Sequence, residues 1–235
     1  MLKVSRKPGG EPEIFHSIQG EGVSMGVPSV FLRLATCNLA CHWCDTKYTW
    51  DWQNFDYQTE VVELDSEEIQ RRIRAFNCPH VVITGGEPLL QQAGLEPLVE
   101  SLAADGYTFE VETNGTIAPL PSMLRHIGQW NVSPKLRTSG NTSEAREIPL
   151  VLETFAQLPK AYFKFVITGE SDVDDVCTMR DKYNLSPDRV LLMPEGRTPD
   201  ALKNKSAWLS EACVRHGFRF TTRLHILLWG DERGR

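Results

Sequence analysis

The sequence predicts an α/β fold, a partial β/α barrel of about six units, and three observations carry that expectation. Short β-branched apolar runs alternate with longer helical patterns, which implies a mostly parallel sheet with helices outside it. The 235 residues suffice for one sizeable core, and no repeat, low-complexity stretch or interdomain linker interrupts them, so residues 1–235 read as a single domain. The chemically unusual residues follow the expected strands, where barrels of this kind place their chemistry.

Strands are expected at 30–34, 80–84, 108–113, 130–133, 162–168, 190–193 and 219–228, each a short run rich in β-branched and aromatic residues. Residues 65–76 read as a helix, with Ser66 as N-cap and Glu67 and Glu68 in the first turn, where carboxylates favour the helix dipole. Further helices are expected at 95–104, 148–157, 172–182 and 199–216. Two stretches read as irregular insertions: 47–58, rich in Trp and Tyr, and 135–147, rich in Ser, Thr and Asn.

Composition narrows the function. An apolar share of 41% and a charged share of 24% are ordinary for a globular chain. The net charge of -6, with its basic residues scattered, argues against a nucleic-acid surface; Arg71, Arg72 and Arg74 read as a solvated helix face. No apolar run has the length of a membrane-spanning helix, and the first ten residues do not read as a signal peptide, so no membrane partner and a cytoplasmic location are expected. Disulfides are disfavoured there, so the six cysteines point to metal or redox chemistry or to buried thiols. Cys78, Cys177 and Cys213 are dispersed and read as core residues.

Five segments follow expected strands and should share one rim: Thr36-Cys37, Thr84-Gly85-Gly86-Glu87-Pro88, Glu112-Thr113-Asn114-Gly115, Ser133-Pro134-Lys135 and Met193-Pro194-Glu195-Gly196. The first opens a Cys-x3-Cys-x2-Cys loop formed by Cys37, Cys41 and Cys44. Three thiolates can hold three irons of a [4Fe–4S] cube and leave the fourth iron open to an amino acid's amino and carboxylate groups. The alternative on these residues is a zinc-binding module with a Cys3His site, completed by His42 or a distant His; Cys78 could in principle supply a fourth thiolate.

The cysteine spacing, its place after the first barrel strand and the Gly85-Gly86-Glu87-Pro88 turn resemble the radical S-adenosylmethionine superfamily. Paired glycines let backbone approach a ligand closely. Glu13 to Gly22 with its Gln19-Gly20-Glu21-Gly22, Arg33, Cys44-Asp45-Thr46, Glu112 to Gly115, Ser133 to Lys135 and Leu224 to Gly230 narrow the resemblance to the 7-carboxy-7-deazaguanine synthase family, over nearly the whole chain. It implies ring contraction of 6-carboxy-5,6,7,8-tetrahydropterin to 7-carboxy-7-deazaguanine with release of ammonia, on the way to queuosine. A 5′-deoxyadenosyl radical would take hydrogen from C6 and S-adenosylmethionine would be regenerated. A glycyl-radical-enzyme activase of the same superfamily shares the cysteines and the turn but acts on a protein.

The resemblance also implies roles. Cys37, Cys41 and Cys44 would ligate the cluster. Trp43, Cys44, Asp45, Gly86, Ser133, Pro134, Lys135, Met193, Pro194, Glu195 and Gly196 would form the S-adenosylmethionine site, and Thr46 would be a Mg2+ ligand. On the substrate side stand Ile18, Gln19, Gly20, Glu21, Arg33, Thr84 and His225, with Arg33, Thr84 and Gln19 as the catalytic candidates. Arg33 is chemically apt, because an arginine in an apolar strand is costly unless it meets an anion, and it can clamp a carboxylate in bidentate fashion. His225 reads equally well as a packing residue of the last strand. A reducing partner such as flavodoxin or ferredoxin and a homodimer follow from the resemblance alone.

Overall fold

The computed structural model covers residues 1–235. Its ten strands, β1 (Leu2–Ser5), β2 (Ile14–Ile18), β3 (Pro28–Leu34), β4 (Val61–Leu64), β5 (His80–Gly85), β6 (Thr108–Thr113), β7 (Gln129–Val132), β8 (Ala161–Ile167), β9 (Val190–Pro194) and β10 (Arg219–Phe220), belong to one sheet. β3 and β5 to β10 pair in parallel in that order, and β10 does not return to β3, so the barrel stays open. On the other edge of β3, β2 and β1 pair antiparallel with it, and β4 lies beyond β1.

The helices are α1 (Tyr57–Glu60), α2 (Ser66–Arg74), α3 (Gln92–Ala104), α4 (Pro121–His126), α5 (Ser143–Arg146), α6 (Pro149–Gln157), α7 (Glu170–Tyr183), α8 (Pro199–His216) and α9 (Leu224–Trp229). α2, α3, α4, α6, α7 and α8 connect successive parallel strands, which gives the six expected units and a two-residue seventh strand. The helix expected at 65–76 begins one residue later than foreseen. Asp65, not Ser66, is its N-cap: its carboxylate accepts the Glu68 N–H at 2.8 Å, an anionic acceptor at the positive helix end. Arg71 and Arg72 both pair with Glu68, and Arg74 pairs with Asp105.

One expected strand is largely a helix. Of 219–228, only Arg219 and Phe220 pair with β9, and Leu224–Trp229 forms α9. A short apolar run such as Ile226-Leu-Leu-Trp229 fits either element by pattern alone, and here the chain leaves the sheet when Leu224 N–H bonds to the Gly20 carbonyl at 2.8 Å. β1, β2, β4 and α4, which the apolar patterns did not single out, are four to six residues long.

The parallel strands alternate in chemistry with period two. Phe109, Val111, Trp130, Val132, Phe163 and Phe165 are buried in the main apolar core. Glu110, Asn131 and Lys164 are buried too, but they are strand residues of the opposite parity and bond one another's neighbours in the barrel interior. This polar interior is the floor on which the site is built.

Candidate active site

The rim loops enclose a cavity of ≈ 510 Å³, a size that suits a small ligand together with its surroundings. Cys37, Cys41, Cys44, Trp43, Asp45, Thr46, Gly86, Ser133, Lys135, Met193 and Glu195 line it. Ile18, Gln19, Gly20, Glu21, Arg33, Thr84 and His225 line it too, so both expected residue sets share one space. Pro134, Pro194 and Gly196 stand just outside: Pro194 is the last residue of β9, and the Gly196 carbonyl is turned to Arg223 Nη1 at 2.8 Å.

The cysteine loop is irregular backbone held by the neighbouring turn. Thr36 has φ of 76°, its carbonyl accepts the Glu87 N–H at 2.8 Å, and its N–H donates to the Thr49 carbonyl. Glu87 is fully buried and accepts from the N–H groups of Leu89 and Asn114 and from the Thr113 hydroxyl, tying the turn after β5 to the turn after β6. The expected role for Gly85 and Gly86 was close approach to a ligand. What they chiefly permit is close approach to the cysteine loop: a Cβ on Gly86 would overlap the Thr36 carbonyl, and one on Gly85 the Leu34 backbone.

Each sulfur has an N–H donor aimed at it. Asn141 Nδ2 faces Cys41 Sγ at 3.2 Å, Trp50 Nε1 faces Cys44 Sγ at 3.3 Å, and Leu39 N faces Cys37 Sγ at 3.5 Å. Such donors suit thiolates that hold a cluster. In the bare loop burial pushes the Cys37 thiol up to about 12 and the Cys41 thiol upward, so loading iron must displace their protons. The Trp43 indole N–H is buried without a partner, a donor left for a bound group, and Lys135 Nζ lies 5.6 Å from the Trp43 ring. The donor set fits a cluster better than one zinc ion. The two residues offered as a fourth zinc ligand are engaged elsewhere: the His42 ring packs against Gly140, and Cys78 Sγ points to the Pro28 carbonyl.

Arg33 spends only Nε on Glu13, at 2.8 Å, and its terminal nitrogens make no hydrogen bond within the chain. Glu13 is fully buried and also receives Tyr48 Oη and Arg233 Nε. Arg233 lies 3.4 Å over the Tyr48 ring and pairs with Glu60, and residues 231–235 line the cavity. Gln19 engages Glu110 and Glu112 through its amide, and its carbonyl accepts the Glu21 N–H at 3.3 Å.

Glu21 meets two cations: Lys164 Nζ at 2.7 Å and Arg223 Nε at 3.0 Å. Burial opposes its charge, but the two cations win and hold the carboxyl below the usual carboxylate range. Lys164 also donates to Glu112 at 2.7 Å, whose carboxyl burial pushes upward. His225, carried by α9, packs against Gly20, and burial shifts it toward the neutral form. Thr46 begins a short 3-10 turn, its carbonyl accepting from Thr49.

The sequence gives no role to Lys164, Arg223 or Tyr48, and Glu13 enters it only as the first residue of the N-terminal motif. Glu112 carries a readable signal, a charge repeated with Glu110 at period two in β6, and Lys164 is a lone charge inside the apolar strand β8; Arg223 carries none, because its partners lie 178 and 202 positions away.

An open parallel barrel with a three-cysteine loop and a Gly-Gly-Glu-Pro turn on one rim defines a radical S-adenosylmethionine enzyme, and the family model described as the radical SAM superfamily matches residues 33–133. Such enzymes use a [4Fe–4S] cluster and S-adenosylmethionine, here on a small-molecule substrate. A 7-carboxy-7-deazaguanine synthase from Pyrobaculum aerophilum is 43% identical over 225 residues, covering 95% of this chain and 96% of the relative. One from Rhodospirillum rubrum is 47% identical over 236 residues, covering 92% and 90%. The crystal structure of QueE from Escherichia coli matches with a TM-score of 0.67 at 26% identity over 95% of both chains. The chain belongs to the 7-carboxy-7-deazaguanine synthase family and is a radical S-adenosylmethionine lyase of queuosine biosynthesis.

Proposed function

We propose that this chain, acting as one domain of residues 1–235, converts 6-carboxy-5,6,7,8-tetrahydropterin to 7-carboxy-7-deazaguanine and ammonia. The observation that carries the reading is the shared cavity: three thiols with N–H donors, a half-engaged arginine and a glutamate paired with two cations all line it. Cys37, Cys41 and Cys44 hold the cluster. Trp43, Cys44, Asp45, Gly86, Ser133, Pro134, Lys135 and the Met193-Pro194-Glu195-Gly196 segment surround S-adenosylmethionine. When bound, these two groups supply the one-electron chemistry that removes hydrogen from pterin C6.

The chain's own residues supply position, charge and dryness. The free end of Arg33 clamps the pterin carboxylate while Glu13 holds its Nε. Glu21 keeps lone pairs beyond those given to Lys164 and Arg223, and accepts from the pterin amino group. Ile18, Gln19, Gly20, Thr84 and His225 complete the substrate side, with Thr84 where substrate and cofactor meet. Thr46 offers a hydroxyl to a Mg2+ ion whose remaining ligands are waters and substrate oxygens. Flavodoxin or ferredoxin as reductant, a homodimer and a cytoplasmic location complete the proposal; no helix is long and apolar enough to cross a membrane.

The test is anaerobic reconstitution with iron and sulfide, reduction, and addition of S-adenosylmethionine, Mg2+ and the carboxytetrahydropterin. Mass spectrometry should find a product lighter by one ammonia. A formed cluster that leaves the pterin unchanged would overturn the reaction proposed here.

A further inference from the structure

Arg223 touches three segments that the chain order keeps far apart. Its Nε donates to Glu21 Oε1 at 3.0 Å, its Nη2 to Asp45 Oδ2, and its Nη1 to the Gly196 carbonyl at 2.8 Å. Its side chain is 9% exposed, so an unpaired guanidinium there would be costly, and all three donor directions are used. Glu21 and Asp45 both line the cavity and meet on this one guanidinium, although they belong to segments 24 positions apart, Asp45 directly after the third cysteine. The arginine is fixed in turn by its place before α9, whose first N–H bonds to Gly20, next to Glu21.

We propose that Arg223 is a positioning residue that locks the pterin-binding carboxylate Glu21 to the cluster-loop carboxylate Asp45, so that the two halves of the site are set at one separation. The inference rests on the functional reading above. Two neighbouring carboxylates of like charge would otherwise repel, and a planar guanidinium is the side chain that can hold both at fixed angles while a third nitrogen anchors to backbone. A lysine offers one point charge and cannot make all three contacts at once. Lys164 does not duplicate this function, because it joins Glu21 to Glu112 on the barrel floor and makes no contact with Asp45.

The test is binding of 6-carboxypterin, the oxidised fluorescent analogue that is not turned over, to the reconstituted protein with S-adenosylmethionine and Mg2+ present. Arg223→Lys should weaken binding roughly tenfold or more with iron content unchanged, since only part of the fork is kept. Asp45→Asn should also weaken it, although Asp45 lies on the cofactor side, and the double variant should be no weaker than the worse single one. Wild-type affinity in Arg223→Lys, or losses that simply multiply, would overturn the coupling. If Arg223→Lys does not load iron, Asp45→Asn decides alone: weakened pterin binding supports the lock and wild-type binding overturns it. A wild-type protein that binds no carboxypterin overturns the functional reading itself, and the coupling with it.

Discussion

Gly86 and Thr36 are in backbone contact: a Cβ on Gly86 would overlap the Thr36 carbonyl, so the turn after β5 is seated directly on the first residues of the cysteine loop. The neighbouring Gly86 N–H bonds to the Leu34 carbonyl at 3.0 Å and fixes that seat. Gly86→Ala must push the two segments apart, at a cost of about 1–3 kcal/mol, typical of an overfilled site. The expected result is a melting point lower by several degrees and reduced iron per chain after reconstitution, measured by calorimetry and iron assay.

Replacing Cys41 by Ser removes a thiolate that Asn141 supports, and iron content should fall to a small fraction of wild type. His42→Ala should retain full iron, because that ring packs against Gly140 and the N–H donors to the three sulfurs come from Leu39, Trp50 and Asn141. Loss of iron in the His42 variant would revive a mixed cysteine–histidine site.

Arg33→Gln should weaken 6-carboxypterin binding by about 1.5–3 kcal/mol, the usual worth of hydrogen bonds to a charged group, or roughly ten- to a hundredfold. Pterin lacking the 6-carboxylate should bind both proteins alike. A uniform loss for both ligands would show that Arg33 serves only its pairing with Glu13.

Burial lowers the proton affinity of His225, with Glu21 and Asp45 opposing the shift and Arg223 and Arg33 adding to it. A group depressed in the folded state is protonated first in the unfolded chain, so its contribution to stability is present above the ordinary histidine value of about 6.5 and declines as pH falls below it. The melting point should therefore fall between about pH 7 and pH 5.5, and His225→Gln should lessen that fall. An identical pH dependence in the variant would show that His225 titrates as it does in the unfolded chain.

The barrel was legible because its parallel strands are apolar on the helix side and its helices follow them at regular intervals; six units were expected and six are found. The cysteine loop was legible from local spacing. What escaped was built from distance in sequence. Arg223 meets Glu21 and Asp45, Lys164 meets Glu21, and Arg233 meets Glu13, and none of these pairings leaves a local pattern. The C-terminal apolar run misled because a six-residue stretch such as Leu224–Trp229 satisfies strand and helix patterns alike, and the bond from Leu224 to Gly20 decides between them. Ser66 and Asp65 are both good caps, and only the backbone shows which one accepts the Glu68 N–H.

The central claim is that the cysteine wall and the arginine–glutamate wall act on one substrate within one cavity. Pterin deuterated at C6 tests it most directly, by following the label during turnover of the reconstituted protein. Deuterium should appear in S-adenosylmethionine recovered from the reaction while the deazaguanine accumulates. Deazaguanine formed beside unlabelled S-adenosylmethionine would contradict it.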